Sequence, residues 1–171
     1  MNPRRGELLV AGRRVRPCDS PGKLVSYHYQ NPDVQLSFRS VAEEIRSRPV
    51  AAGHAPTVQR ALVDSAVHAL GLSHILQKHP LELPFVIRKR IALAATIAAG
   101  TPWLILDEPT LGQDDRSARD LAVLLHHLAA AGAGVIVITH SPSFGQLLTP
   151  FALHLRGGAI RPGDTTHARH C

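Results

Sequence analysis

The 171-residue sequence predicts an α/β fold, a parallel sheet flanked by helices, and three observations lead there. Trp103-Leu-Ile-Leu is an apolar run that ends in Asp107 and Glu108, and Val135-Ile-Val-Ile-Thr is a second that ends in His140. Between them Leu121, Leu124, Leu125 and Leu128 recur at the i, i+3, i+4, i+7 spacing of one helical face. A strand, a helix and a strand in this order make a right-handed crossover between parallel strands. Ligands of open sheets of this type sit beyond the carboxyl ends of the strands. Asp107, Glu108 and His140 are therefore expected to converge on one crevice, in a position to handle a nucleotide and a metal.

The remaining elements follow in chain order. Glu7 to Val10 and Arg13 to Arg16, joined at Ala11-Gly12, predict an antiparallel hairpin, and Leu24 to Tyr29 the next strand. From Val41 to Gly71 the pattern turns helical, with Val58, Leu62, Ala66 and Ala69 on one face and Gly71 placed as a helix end. Phe151 to Leu155 and Gly157-Gly158-Ala159-Ile160 predict a short closing hairpin before a polar tail, 164–171. No internal repeat and no low-complexity linker interrupts this order.

Composition fits one globular domain: 171 residues can bury a sizeable core, and 44% hydrophobic with 19% charged is ordinary usage. No apolar run reaches the roughly 18 residues that span a bilayer, and Met1-Asn-Pro-Arg-Arg lacks the apolar core of a signal peptide, so a cytoplasmic protein is expected. Cys18 and Cys171 are read as free thiols. The net charge of +6 is mainly arginine, with Lys23, Lys78 and Lys89 the three lysines. That bias, with abundant Ala, Gly and Pro, suggests a GC-rich bacterial genome. A basic surface tolerates nucleic acid or a membrane face, but no aromatic-interleaved basic patch stands out, and no specific nucleic-acid partner is expected. His167-x-x-His170-Cys171 lies in the polar tail, where metal ligation is not expected. His126 and His127 are expected to be exposed.

Leu104-Ile-Leu-Asp-Glu-Pro-Thr110, then Leu111-Gly-Gln-Asp114, then Thr139-His140 resembles the Walker B, D-loop and H-loop series of ATP-binding cassette (ABC) ATPases. Tyr29-Gln-Asn-Pro-Asp-Val-Gln-Leu36 is similar to their Q-loop, in the form typical of energy-coupling-factor importers. The resemblance runs from about Gly6 to Gly163. It implies a P-loop NTPase-like fold, with 1–163 a partial ABC ATPase domain and about 41–100 its helical subdomain. The cofactors it implies are ATP and Mg2+. The implied partners are a second ABC ATPase subunit, homologous or identical, and membrane-embedded transporter subunits that would hold the protein at the inner face of the cell membrane.

The resemblance also distributes roles. Asp107 would hold the magnesium ion, usually through water, since a small hard cation keeps its hydration shell and prefers oxygen ligands. Glu108 would orient or deprotonate the attacking water, although an Asp-Glu-Pro run also suits a helix start. His140 would hydrogen-bond the γ-phosphate. Gln30 would contact both the magnesium and the water. Asp114 would face the opposing subunit, with helix capping by Asp114 or Asp115 as the other reading of that residue.

Two departures from the family pattern stand beside the matches. No Gly-x-x-x-x-Gly-Lys-Ser/Thr occurs in the 171 residues, so the ring of backbone N–H groups, the lysine and the hydroxyl that hold phosphates and magnesium are not found. Gly22-Lys23 does not qualify: Pro17 stands at the first glycine position and Leu24 at the hydroxyl position. The resemblance implies that the chain begins after the Walker A helix, with Gly6-Glu-Leu-Leu-Val matching the strand that follows. The second departure is at the signature, Leu-Ser-Gly-Gly-Gln in the family, where this chain has Leu83-Pro84-Phe85-Val86-Ile87. Pro84 removes a donor and Phe85 and Val86 add bulk where a helix N-terminus approaches phosphate. Arg88-Lys89-Arg90 are expected on a solvated helix face.

The expected function is thus the ATPase component of an energy-coupling-factor-type importer, impaired as an isolated chain. The alternatives are a non-catalytic half-cassette that pairs with an intact ATPase, a DNA-repair ATPase, and a gene remnant. Asn31-Pro-Asp after Gln30, and the lack of a long heptad pattern, disfavour the DNA-repair class.

Overall fold

A computed structural model describes residues 8–10, 12–15, 21–149 and 151–164. Met1 to Glu7, Pro17, Cys18 and the tail with His167, His170 and Cys171 lie outside the described residues.

The first hairpin forms as the sequence predicts: β1 (Leu8–Val10) pairs antiparallel with β2 (Arg13–Val15). Gly12 takes φ +74° in the turn, a conformation glycine adopts without a Cβ clash. Pro21–Lys23 is a single 3-10 turn leading into β3 (Val25–His28). β4 (Trp103–Asp107) and β5 (Gly134–Ile138) complete a three-stranded parallel sheet in the order β3-β4-β5. In register, His28 lies beside Leu106 and Asp107 beside Ile138. β6 (Phe151–Arg156) and β7 (Ala159–Asp164) form the predicted closing hairpin.

Helices α1 (Val41–Ala51) and α2 (Pro56–Ala69) fill the region predicted to be helical. Ser40 caps α1 by accepting the Glu43 N–H, and Gly71 ends the α2 segment at φ +67°. The apolar face of α2 differs from the predicted one. Val63, Ala66, Val67 and Leu70 pack on the core, whereas Val58 and Ala69 are exposed. Two apolar stripes run along this helix about one residue apart. The one with the tighter i, i+3, i+4, i+7 spacing is the one that packs beside α3.

α3 (Phe85–Ala98) is buried at Lys89 and continuously from Ile91 to Ala98, the part of the helix that is apolar nearly all round. It packs against α1, α2 and β3. α4 (Asp115–Ala130) buries the predicted stripe, with Leu121 and Leu125 inside and Leu124 and Leu128 packed against them. α5 (Pro142–Leu148) adds Phe144.

The sheet's two faces differ. One face presents Leu104, Leu106, Val135 and Val137 to a single apolar cluster that also holds Ile45, Ile91, Leu121 and Phe144. By the period-2 pleat the other face carries Tyr27, Ile105, Ile136 and Ile138. There Ile136 and Ile138 are 47% and 48% exposed. Of the parallel sheet flanked by helices that the sequence predicts, the described residues supply the sheet and the helical layer on one side. Trp103 also lies on this second face, its ring over Gly134, so closely that a Cβ at 134 would sit 2.2 Å from a ring carbon.

Candidate functional site

The sheet register brings three chain ends to one edge. β3 ends at His28, two residues before Gln30, and β4 ends at Asp107, directly before Glu108. β5 ends at Ile138, two residues before His140. Since the three strands are parallel and aligned, Gln30, Asp107, Glu108 and His140 all lie at or just beyond the carboxyl ends of neighbouring strands.

Asp107 keeps the strand's alternation and shares the partly open face with Tyr27, whose hydroxyl donates to Asp107 Oδ2 at 3.0 Å. Burial and this carboxylate both push the Tyr27 hydroxyl above its ordinary pKa. At Glu108 the strand turns. Glu108 has φ +48°, the one positive φ among the described non-glycine residues. A side-chain-bearing residue in this region costs roughly 1–2 kcal/mol, so neighbours have to hold it. Its N–H donates to Ile138 O at 2.9 Å, and its carbonyl accepts from Leu111 N at 3.2 Å and from Lys89 Nζ at 2.6 Å.

The Glu108 carboxylate, 5% exposed as a residue, is committed to the end of β5. Oε1 accepts the His140 backbone N–H at 2.8 Å and faces the His140 ring at Nδ1, 2.6 Å away. Oε2 accepts the Thr139 hydroxyl at 3.4 Å. The His140 side chain is itself 83% exposed. The arrangement is therefore an acid buried behind an open imidazole, with the acid fixing which ring nitrogen points inward.

Other predicted residues stand as follows. Gln30 is exposed at the edge. Gln35, further along the same loop, is buried and donates to Ala92 O and to Thr96 Oγ1 of α3, which seats the loop on that helix. Asp114 caps α4: Oδ1 accepts the Ser117 N–H at 2.7 Å, and its hydrogen bonds with Ser117 lower its pKa. Of the two readings open in the sequence for this residue, capping is the one this geometry displays. Gly22-Lys23 sits at the amino end of β3, the opposite end of the sheet from Asp107.

The basic run is not a solvated face. Arg88 pairs with Asp33 of the loop after Gln30, Nε to Oδ1 at 2.8 Å, and Arg90 donates to Ser117 Oγ at 2.8 Å. Lys89 is 0% exposed. Burial holds its ammonium below the usual lysine range, and the Glu108 and Asp107 carboxylates work against that shift. Three charges in a row read as surface because lysine and arginine are seldom buried unpaired. Here each finds a partner that long-range packing supplies. Tyr27 and Lys89 are site residues outside the sequence motifs, and Thr139 lies within one but carries no role there. Thr139 and Tyr27 had one available signal, adjacency to a strand's carboxyl end, and Lys89 had none.

As a metal site, Asp107 with the Gln30 amide offers hard oxygen donors, few in number. Among the described residues no three His, Cys, Asp or Glu side chains gather to hold an ion. Hard oxygens of this kind are what Mg2+ takes, one or two at a time, while it keeps most of its water.

The ABC transporter family model matches residues 1–111. An ABC transporter ATP-binding protein of Streptomyces coelicolor is 34% identical over 165 residues, which cover 95% of this chain and 62% of the relative. One of Pyrococcus furiosus is 29% identical over 163 residues, covering 94% and 63%. The chain spans about three fifths of the length of these curated relatives. Among solved structures, a dimeric ATP-binding cassette in a post-hydrolysis state with ADP and Pi matches with a TM-score of 0.84. The identity is 17%, and the match covers 96% of this chain and 75% of the other. The structure of cbiO1 from Clostridium perfringens, part of the ABC transporter complex cbiONQ, matches with a TM-score of 0.78 at 24% identity, covering 97% and 68%. At these identities the two structures speak to the fold.

Proposed function

This chain belongs to the ABC transporter family, and from that premise we propose that it supplies the acid, imidazole and metal-ligand side of a cassette that hydrolyses ATP to drive uptake through membrane-embedded subunits. The observation that carries the reading is the meeting of Glu108 and His140, 2.6 Å apart, beside Asp107 at the carboxyl edge of a parallel sheet. The importer class is the energy-coupling-factor type. Tyr29-Gln-Asn-Pro-Asp supports it from the sequence, and the fold is one shared with cbiO1 of the complex cbiONQ.

In this reading Asp107 and Gln30 hold Mg2+, which supplies charge neutralisation for the phosphates of ATP. Glu108 is the base, or it steadies the base: its carboxylate is engaged by His140, so it either releases the ring to take a proton from water or keeps His140 aligned for the γ-phosphate. Asp114, beyond capping α4, faces the second ATPase subunit. The helices within 41–100 form the subdomain that meets the membrane partner. The phosphate cradle comes from outside the 171 residues, since these contain no phosphate-binding loop. The exposed Ile136 and Ile138 support this, because parallel sheets are ordinarily covered on both faces.

The test is calorimetric titration of the 171-residue chain with Mg-ATP. Weak or undetectable binding is expected, and micromolar affinity would overturn the proposal that the phosphates are held elsewhere. A second reading, a non-catalytic half-cassette, is favoured by Pro84-Phe85 at the start of α3, where a bulky ring stands in place of a phosphate-approaching glycine. Reconstitution with an intact ABC subunit separates the two. Loss of hydrolysis in Glu108→Gln supports the catalytic reading, and unchanged hydrolysis supports the second.

A further inference from the structure

Lys89 is the one lysine in the apolar interior, and no step above uses it. Its surroundings are unusual for a buried cation. On one side lies His28, 0% exposed, with neither ring nitrogen hydrogen-bonded among the described residues. On the other is the β4 end, where Nζ donates to the Glu108 carbonyl at 2.6 Å and faces the electrostatic pull of the Glu108 and Asp107 carboxylates. Burying an ammonium costs stability unless hydrogen bonds and opposite charges offset it, and a methionine in its place would avoid that cost.

What it touches answers this. Glu108 sits in a left-handed backbone conformation at the point where β4 stops. Were β4 to continue, residue 108 would simply alternate to the covered face of the sheet. Instead the chain turns, and the carboxylate reaches the β5 end at the His140 N–H and ring. The holds on residue 108 from Ile138, Thr139 and His140 come from β5 and the segment directly after it, and the one from Leu111 is local to the turn. Among the described residues Lys89 alone reaches it from another layer, α3. The same helix carries Arg88, tied to Asp33 of the loop after Gln30, and Arg90, tied to Ser117 in the first turn of α4.

We propose that Lys89 is a positioning residue, whose buried ammonium clamps the Glu108 carbonyl and so holds the Glu108 carboxylate on His140, linking α3 to the acid. This rests on the reading of Glu108 and His140 as the reactive pair. The measurement needs no nucleotide, so failure of the ATPase reading would show as unchanged hydrolysis in the reconstituted Glu108→Gln complex and leave this result standing.

Amide hydrogen exchange by NMR on the full 171-residue chain tests it in wild type, Lys89→Met and Lys89→Arg. Methionine keeps the apolar stem and removes the donor; arginine restores a donor. In K89M the Glu108 and His140 amides are expected to lose protection by about tenfold or more, as a lost charge-assisted hydrogen bond would. The His140 amide resonance should move upfield. Ladder amides within β4 and β5 should be unchanged, and K89R should recover at least part of the loss. Unaltered protection at both amides would overturn the proposal. So would a uniform loss throughout the sheet, which would mean that Lys89 serves the fold as a whole. Should K89M not fold, the wild type still decides: a Lys89 ammonium resonance with through-hydrogen-bond coupling to the Glu108 carbonyl carbon is expected, and its absence overturns the clamp.

Discussion

His28 makes the stability of this protein depend steeply on pH. It lies on the covered face of the sheet, fully buried, with neither Nδ1 nor Nε2 hydrogen-bonded among the described residues. Burial first, and the nearby Lys89 ammonium second, lower its pKa from 6.5 to about 3. The unfolded chain binds a proton at this ring near pH 6.5, whereas the folded chain does not until about pH 3. Between those values protons favour the unfolded state, so stability is full above pH 6.5 and falls as the pH drops. The slope is about 1.4 kcal/mol per pH unit, which makes the loss from this ring about 2 kcal/mol at pH 5. His28→Leu removes the titrating ring together with two unsatisfied nitrogens, so it should be neutral or stabilising at pH 7.5 and should flatten the acid slope. Urea denaturation from pH 8 to pH 5, followed by fluorescence of Trp103, the single tryptophan, measures both. If His28→Leu kept the wild-type loss between pH 7.5 and pH 5, the ring would not be the group responsible and the reasoning would fail.

Two further substitutions probe the sheet that carries the site. Gly134→Ala places a Cβ 2.2 Å from the Trp103 ring, and is expected to cost about 1–3 kcal/mol by overpacking. A shift in Trp103 emission should accompany it; unchanged emission and midpoint would mean the ring does not lie over Gly134. Leu106→Ala opens the core beneath the acid pair at a residue that is 0% exposed, and a loss of about 2–5 kcal/mol is expected in denaturant unfolding. A loss well below that range would place Leu106 outside the cluster.

Strand ends were legible in the sequence because an apolar run followed abruptly by polar residues marks both a buried strand and its stop. Trp103 to Asp107 and Gly134 to Ile138 fall where Trp-Leu-Ile-Leu and Val-Ile-Val-Ile placed them. The α4 stripe was legible for the same reason, since Leu121, Leu125 and their neighbours leave only one apolar face. Legibility failed where two patterns overlapped or where a partner came from far along the chain. α2 offered two apolar stripes, and only contact with α3 selects between them. Lys89 lies 19 residues from Glu108, and no local rule brings a lysine inside. Nor does spacing reveal that Tyr27 bonds Asp107, because that pairing depends on β3 and β4 being neighbours in parallel register.

The two adjacent acids illustrate how a sheet can give neighbouring side chains separate tasks. Successive residues in a strand point to opposite faces, so Asp107 falls on the partly open face with Tyr27. Glu108, one residue on, would fall toward the helices if β4 continued. Ending the strand between them, with a left-handed turn at Glu108, keeps Asp107 on its face and sends Glu108 along the sheet edge to His140. A glycine at 108 would take this turn more cheaply but would supply no carboxylate. The strain of a glutamate there is thus tied to having an acid at that point. The contacts from Lys89, Ile138, Thr139 and His140 are what offset it. It follows that the acid's position depends on β5 and α3 together, so a shift of α3 that pulled Lys89 away would loosen Glu108 without moving Asp107.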